Sequence, residues 1–217
     1  MAGFSTELCN KSLRNLGISR EVSDVNTENS QEAKACRAFY EDCVEETLRD
    51  AALPFSRRPI RLALVEENPL DEDFLFSYRY PAQCAQFRGL IVGNRLPLSF
   101  EYKISSDNAG QLILCNIKEA IGEYIHLVED VDMWPSDLRL AFSYKLSVYI
   151  GPSLMSGDQF NMIPKCEAAY IEKIDKAKAN GYNEESSPRP PESELVRAHD
   201  GLYFRDYSYP ISGRKDS

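Results

Sequence analysis

The residue pattern predicts an α+β protein: a four-helix antiparallel bundle with an inserted small antiparallel β unit and an extended C-terminal arm. Three observations carry that expectation. Apolar residues recur at helical spacing up to Pro54 and again after Pro135. Between these stretches the apolar period falls to two, the spacing of a half-buried strand. Between Glu184 and Glu194 three prolines crowd the chain and interrupt either pattern. The segments that follow are 1–58 for the first two helices, 59–131 for the β insert, 132–184 for the last two helices and 185–217 for the arm.

The first helix is expected from about Ser5 to Leu16. Ser5 can cap it, Cys9, Leu13 and Leu16 share one face, and Gly17 ends it. After a polar stretch, Asn29 and Glu32 form a candidate capping box for a long second helix. Its stripe runs Ala33, Cys36, Phe39/Tyr40, Cys43/Val44, Thr47/Leu48 and Ala51, and Pro54 stops it. From Pro59, Ile60, Leu62 and Leu64 alternate with Arg61, Ala63 and Val65. Leu98, Phe100, Tyr102 and Ile104 alternate in the same way. A polar turn from Ser105 to Gly110 then leads to Leu112 and Leu114, which is a hairpin signal. A further strand is expected from Ile121 to Val128.

Helices resume after Trp134-Pro135. Ser136 is the expected cap of a helix carrying Leu138, Ala141, Phe142, Val148 and Tyr149, halted by Gly151-Pro152. It is apolar around more than half its girth, which predicts a central position. The last helix is expected from about Asp158 to Asn180, with Ile163, Cys166, Tyr170, Ile174 and Ala177 in one stripe. Pro164 is tolerated in its first turns and Gly181 closes it. Phe39, Leu48, Phe142 and Tyr170 are the predicted centre of the bundle.

Composition narrows the function classes. Of 217 residues, 43% are hydrophobic and 27% charged, an ordinary globular mixture. With 34 acidic against 25 basic residues the formal net charge is −9 and the pI about 4.9. That balance argues against a DNA reader, which shows a basic face, and against an anionic membrane surface as partner. The six cysteines form no C-x-x-C pair, and the start has no charged-then-apolar leader. Reduced thiols and a cytosolic place of synthesis are the expectation. No apolar run is long enough for a membrane span.

Catalytic chemistry is sparse. The two histidines are His126 and His199; His126 falls in a predicted strand and reads as structural. There is no nucleophile elbow, H-E-x-x-H pair, phosphate-cradling glycine loop or zinc spacing. Acidic clusters occur at Glu66-Glu67, Asp71-Glu72-Asp73, and Glu129-Asp130 with Asp132. They are the one opening for a paired-carboxylate hydrolase, although solvated loop ends explain them as well. Asp71 to Asp73 lack the glycine and terminal glutamate of an EF-hand. No catalytic, cofactor-binding or metal-binding residue is assigned, and no cofactor.

Four strings, in order, resemble the phage tail tubular protein A family, the head-to-tail adaptor of short-tailed phages. The first is Leu8-Cys9-x-x-x-Leu13-x-x-Leu16-Gly17, followed by an Asn/Ser helix start with Ala33, Cys36, Tyr40 and Leu48. The second is Tyr78-Arg79-Tyr80-Pro81-Ala82-Gln83-Cys84. The third is Glu123-Tyr124-Ile125-His126 through Glu129-Asp130 to Trp134-Pro135 and the Ala/Leu-rich helix beyond. The fourth is Tyr170 and Ala177-x-Ala179-Asn180, then a Pro/Glu/Ser run ending Ser193-Glu194-Leu195-Val196-Arg197-Ala198. The resemblance spans about Leu8 to about Asp200. Where the family often has a tryptophan after the long helix, this chain has Leu53-Pro54-Phe55, and the aromatic tail after Gly201 has no counterpart.

The resemblance implies a virion protein of the neck, a ring of about a dozen copies with closed symmetry. Its partners would be the portal protein above, a tail tube or nozzle protein below, and double-stranded DNA passing through without sequence recognition. No catalytic residue comes with it. The tail itself suggests a docking arm. Prolines from Pro188 stiffen a spacer, and Leu202, Tyr203, Phe204, Tyr207 and Tyr209 are anchor types that dominate interfaces. The rival expectations are a tail-associated cell-wall hydrolase and an assembly scaffold.

Overall fold

The computed structural model describes residues 5–69, 73–91, 100–158 and 160–184. Helix α1 spans Thr6–Asn15 and α2 Gln31–Ala51; β1 spans Arg57–Arg61, β2 Leu64–Glu67, β3 Phe76–Arg79 and β4 Cys84–Ile91. Then follow β5 Tyr102–Asp107, β6 Gly110–Cys115, β7 Ile121–His126, α3 Ser136–Leu154 and α4 Met162–Glu184. The strands form two antiparallel sheets, a three-stranded one in the order β1-β7-β4 and a four-stranded one in the order β2-β3-β6-β5.

The α+β class fits this loosely, but the four-helix bundle does not form. The helices pack as spokes on α3, which meets α1, α2 and α4, while α1 and α2 scarcely touch. The apolar girth of α3 lets it serve three neighbours: Leu138, Ala141, Phe142, Leu146 and Ile150 are all fully buried. The helical core is not purely helical either, because Ala85 of β4 and Ile125 of β7 belong to it. A second core of Leu62, Tyr78, Phe87, Leu90, Ile113, Cys115 and Tyr124 lies between the two sheets. Adjacent residues Tyr124 and Ile125 of β7 thus face opposite cores, as strand alternation requires. The order of layers is helices, three-stranded sheet, four-stranded sheet.

Local signals resolve as follows. Ser5 caps α1 by accepting from the Leu8 amide, and Gly17 follows at φ +78°. Ser30, not Asn29, caps α2, accepting from Ala33 N–H, and Ala52 ends the helix in the left-handed region. The run after Pro59 is two strands in different sheets rather than one. β3 and β4 lie where no strand was predicted. Helix α3 begins at Ser136 without a side-chain cap and continues through Gly151 and Pro152 to Leu154. Asp158 receives the amides of Met162 and Ile163 at the start of α4 (2.6 and 2.9 Å). That helix passes Gly181 and reaches Glu184. Of the four residues predicted at the centre, Leu48, Phe142 and Tyr170 are buried, and Phe39 is half-buried against the same core.

Between α1 and α3 the contact is made by small residues. Ser12, Ser143 and Ser147 are fully buried, and the Ser147 hydroxyl donates to the carbonyls of Ser12 and Ser143. Trp134 turns its indole N–H to the Val128 carbonyl at 3.0 Å and stacks edge-on against Phe142. All six cysteines are free; five are buried and Cys84 is half-buried. Among the described residues, no helix is long and apolar enough to cross a membrane.

Candidate functional site

The acidic clusters are the first candidates, and the fold scatters them. Glu66 and Glu67 lie exposed on β2. Asp71 and Glu72 lie outside the described residues, and Asp73 gives its carbonyl to Asn116. Asp130 caps the 3-10 turn Val131–Met133 by accepting from the Asp132 amide, so that cluster belongs to the entry into α3. Glu67 shares a cleft of about 300 Å³ with Glu119, floored by Leu62, Phe76 and Tyr78 and flanked by Arg61 and Lys118. Both glutamates are exposed, so neither has the desolvated setting a general acid uses. No group of three or more His, Cys, Asp or Glu that could hold a metal ion occurs among the described residues.

The densest polar array was not foreseen. Lys145 of α3 sits 2.8 Å from Glu46 and 3.7 Å from Asp50, both on α2. Its ammonium lies 4.7 Å from the Tyr170 ring centroid and 5.8 Å from that of Tyr149. The Tyr149 hydroxyl donates to Glu46 at 2.7 Å, and that of Tyr170 to Asp50. Lys145 holds the Glu46 carboxyl below its ordinary range. The bond to Glu46 pushes Tyr149 up to about 12, and burial, with Asp50, raises Tyr170. These groups satisfy one another, so the array clamps α2, α3 and α4 together. Nothing in the sequence flagged it, because its members come from three helices.

His126 ends β7. It packs edge-on to Tyr124 at 6.1 Å, and its Nδ1 has no hydrogen-bond partner among the described residues. The structural reading of this histidine is therefore only partly satisfied. Burial, reinforced by Arg58, lowers its pKa, against a smaller opposing pull from the nearby Gln83 backbone and Glu129. The fold prefers neutral imidazole, so unfolding takes up a proton below the free value near 6.5, and stability falls as pH drops through that window. His126→Gln is expected to flatten the fall in Tm as the pH drops below the free imidazole value of about 6.5. An unchanged pH profile in that variant would remove His126 from the account.

What remains is surface. Leu64 and Val65 on β2 and Ile104 on β5 are 51%, 43% and 44% exposed. They sit on the two outermost strands of the four-stranded sheet among the described residues. The predicted docking residues Leu202, Tyr203, Phe204, Tyr207 and Tyr209 lie outside the described residues. Exposed large apolar side chains also occur at Leu75, Met133, Phe160 and Ile171, so these two strands are one candidate surface of several among the described residues. No protein-family model and no curated protein matches the chain.

Proposed function

We propose that this chain is a structural subunit of a phage particle, a ring-forming adaptor between the portal of the head and the tail, with no enzymatic role. The observation that carries the reading is the ordered series of four strings from Leu8 to Asp200. Most of their apolar members hold the layers together: Leu8, Cys9, Leu13, Leu16, Tyr78, Tyr124, Trp134, Tyr170 and Ala177 are all buried. The resemblance therefore concerns how the unit folds rather than a reactive site. Two further features support it. The polar array of α2, α3 and α4 is a clamp, and apolar side chains are exposed on β2 and β5.

In this role the genome passes through the ring. With −9 per copy, about a dozen copies carry roughly a hundred negative charges, a field that keeps DNA from sticking. The protein is expected in mature particles, at ring stoichiometry relative to the portal. Mass spectrometry of purified virions checks this: presence in assembly intermediates but not in mature particles would make it a scaffold. Clearing of a peptidoglycan gel by the purified chain would make it a hydrolase.

A further inference from the structure

Where α1 and α2 meet, two thiols face one another. The Ser5 amide, at the cap of α1, donates to the Tyr40 hydroxyl of α2 at 3.1 Å. Cys9 lies one turn beyond Ser5, and Cys36 one turn before Tyr40. The Cys9 S–H donates to the Cys36 sulfur. These two rungs climb α1 as they descend α2, so the helices run antiparallel here. Both cysteines are fully buried in the helical core. We infer that Cys9 and Cys36 form a thiol–disulfide exchange site, at which a small disulfide such as glutathione disulfide closes a covalent staple between α1 and α2. Nothing in this step depends on assembly into a ring.

The surroundings hold this alignment and set the pair apart from the other four thiols. Thr6 accepts the Val25 amide at 3.1 Å, and Val25 gives its carbonyl to Arg37, so a second bridge joins α1 to α2 beside the first. The bond to Cys36, with burial, pushes the Cys9 thiol up. The same bond, with Arg37, brings that of Cys36 down. Cys36 is therefore the attacking sulfur, since the thiolate is the nucleophile. Cys43 stands two turns along α2, roughly 10 Å from Cys36 and too far for a bridge. Burial holds its thiol up at about 12. Cys84, Cys115 and Cys166 lie on β4, β6 and α4, and none of the groups that shift them is a cysteine.

The exchange balances with glutathione disulfide alone. The Cys36 thiolate attacks one of its sulfurs, giving a mixed disulfide and one glutathione thiolate. Cys9 then gives up its proton, and its sulfur attacks that of Cys36, releasing the second glutathione. Two protein S–H bonds are lost and one S–S bond forms, while the two electrons leave on two glutathione thiols. Neither cysteine meets solvent, so the reaction waits on the opening of α1. That helix is only 10 residues long and scarcely touches α2, which makes it a low-stability element. Once closed, the bridge denies the opening that admitted the oxidant. A cytosolic thiol pool keeps such a pair reduced, and an oxidising surrounding lets it close.

The test equilibrates the full chain with glutathione disulfide or with reduced glutathione, in urea below the unfolding midpoint so that α1 opens. Peptide mapping without reductant is expected to join Cys9 to Cys36 with the loss of two hydrogens. After urea is removed, the oxidised chain is expected to melt several degrees above the reduced one, because a bridge from Cys9 to Cys36 restricts the unfolded chain. Dithiothreitol is expected to abolish that difference. Cys9→Ala and Cys36→Ala are each expected to lose it, and Cys43→Ala to keep it. Each variant is compared with its own reduced form, so a lowered baseline leaves the readout intact. The wild-type peptide map decides the pairing even where a variant fails to fold. Thiols left unreacted, a glutathione adduct that goes no further, a bridge to any other cysteine, or a bridged chain that melts no higher than the reduced one would overturn the inference. Portals enter no arm of this test, so its failure leaves the adaptor reading standing.

Discussion

Truncating Phe142 to alanine is expected to lower the unfolding free energy by about 3–5 kcal/mol, as for other buried aromatics. Phe142 is fully buried on α3, the helix that the other three share. Its ring meets Tyr40 of α2 edge-on at 5.1 Å and Trp134 edge-on at 5.7 Å. Helix α2 and the turn that carries Trp134 therefore border the void, and both are anchored elsewhere, which limits collapse. Against a typical stability of roughly 5–15 kcal/mol the loss is large. Urea unfolding followed by the fluorescence of Trp134, the single tryptophan, reads it directly. The midpoint should fall with the slope unchanged. An unchanged midpoint would mean that the helical core is drawn wrongly.

The second large effect is at Gly122, between the sheets. A Cβ there would lie 2.5 Å from Phe87 Cε2, 3.0 Å from its Cζ and 3.3 Å from Leu62 Cδ2. Phe87 has little room to yield, since it is buried and packs edge-on against Tyr102 at 5.2 Å and at a tilt to Tyr80 at 6.0 Å. Gly122→Val is therefore expected to cost at least about 1–3 kcal/mol, the usual range for overpacking. Shrinking the obstacle should recover part of it: Gly122→Val with Phe87→Leu should be less destabilised than the two single losses added together. Strict additivity in that cycle would show that the two side chains do not compete for the same space.

The helices were legible because their apolar stripes are long, and an amphipathic stripe needs no knowledge of what it packs on. The bundle was not legible for the same reason. Nothing in the spacing of Ala33, Cys36 and Tyr40 says whether helix or sheet covers them, and Ile125 and Ala85 complete that core. Gly151 and Gly181 were read as helix stops, but both lie inside helices at close approaches. Cβ atoms there would come within 2.8 Å of Ile163 and 2.6 Å of Leu53 respectively. Pro152 falls in the last turn of α3, so the amide bond it forfeits is one of the last in the helix, and the helix ends two residues later.

Strands were harder to read. β3 is four residues long, and the two bulges of β4 break the alternation that would mark it. The alternation from Ile60 to Val65 runs on through Leu62 and Ala63, where the chain changes sheets, so one strand was expected where two exist. The outer positions of Leu64 and Ile104 could not be foreseen at all, because they are defined by strand order. The residues of the Lys145 array were equally silent: Glu46, Lys145 and Tyr170 come together only once three helices are packed.

The adaptor reading is tested most directly by electron microscopy of the purified chain mixed with its portal, using full-length protein and a chain ending at Pro188. The full chain is expected to form a ring of about a dozen copies seated on the portal. The shortened chain keeps α1 to α4 and both sheets, so its thermal unfolding should match that of the full protein. It lacks Leu202, Tyr203, Phe204, Tyr207 and Tyr209, and is expected to form fewer rings or to leave portals bare. A full-length chain that forms no ring and leaves portals bare would contradict the account. A shortened chain that decorates portals as well as the full one would remove the arm from it.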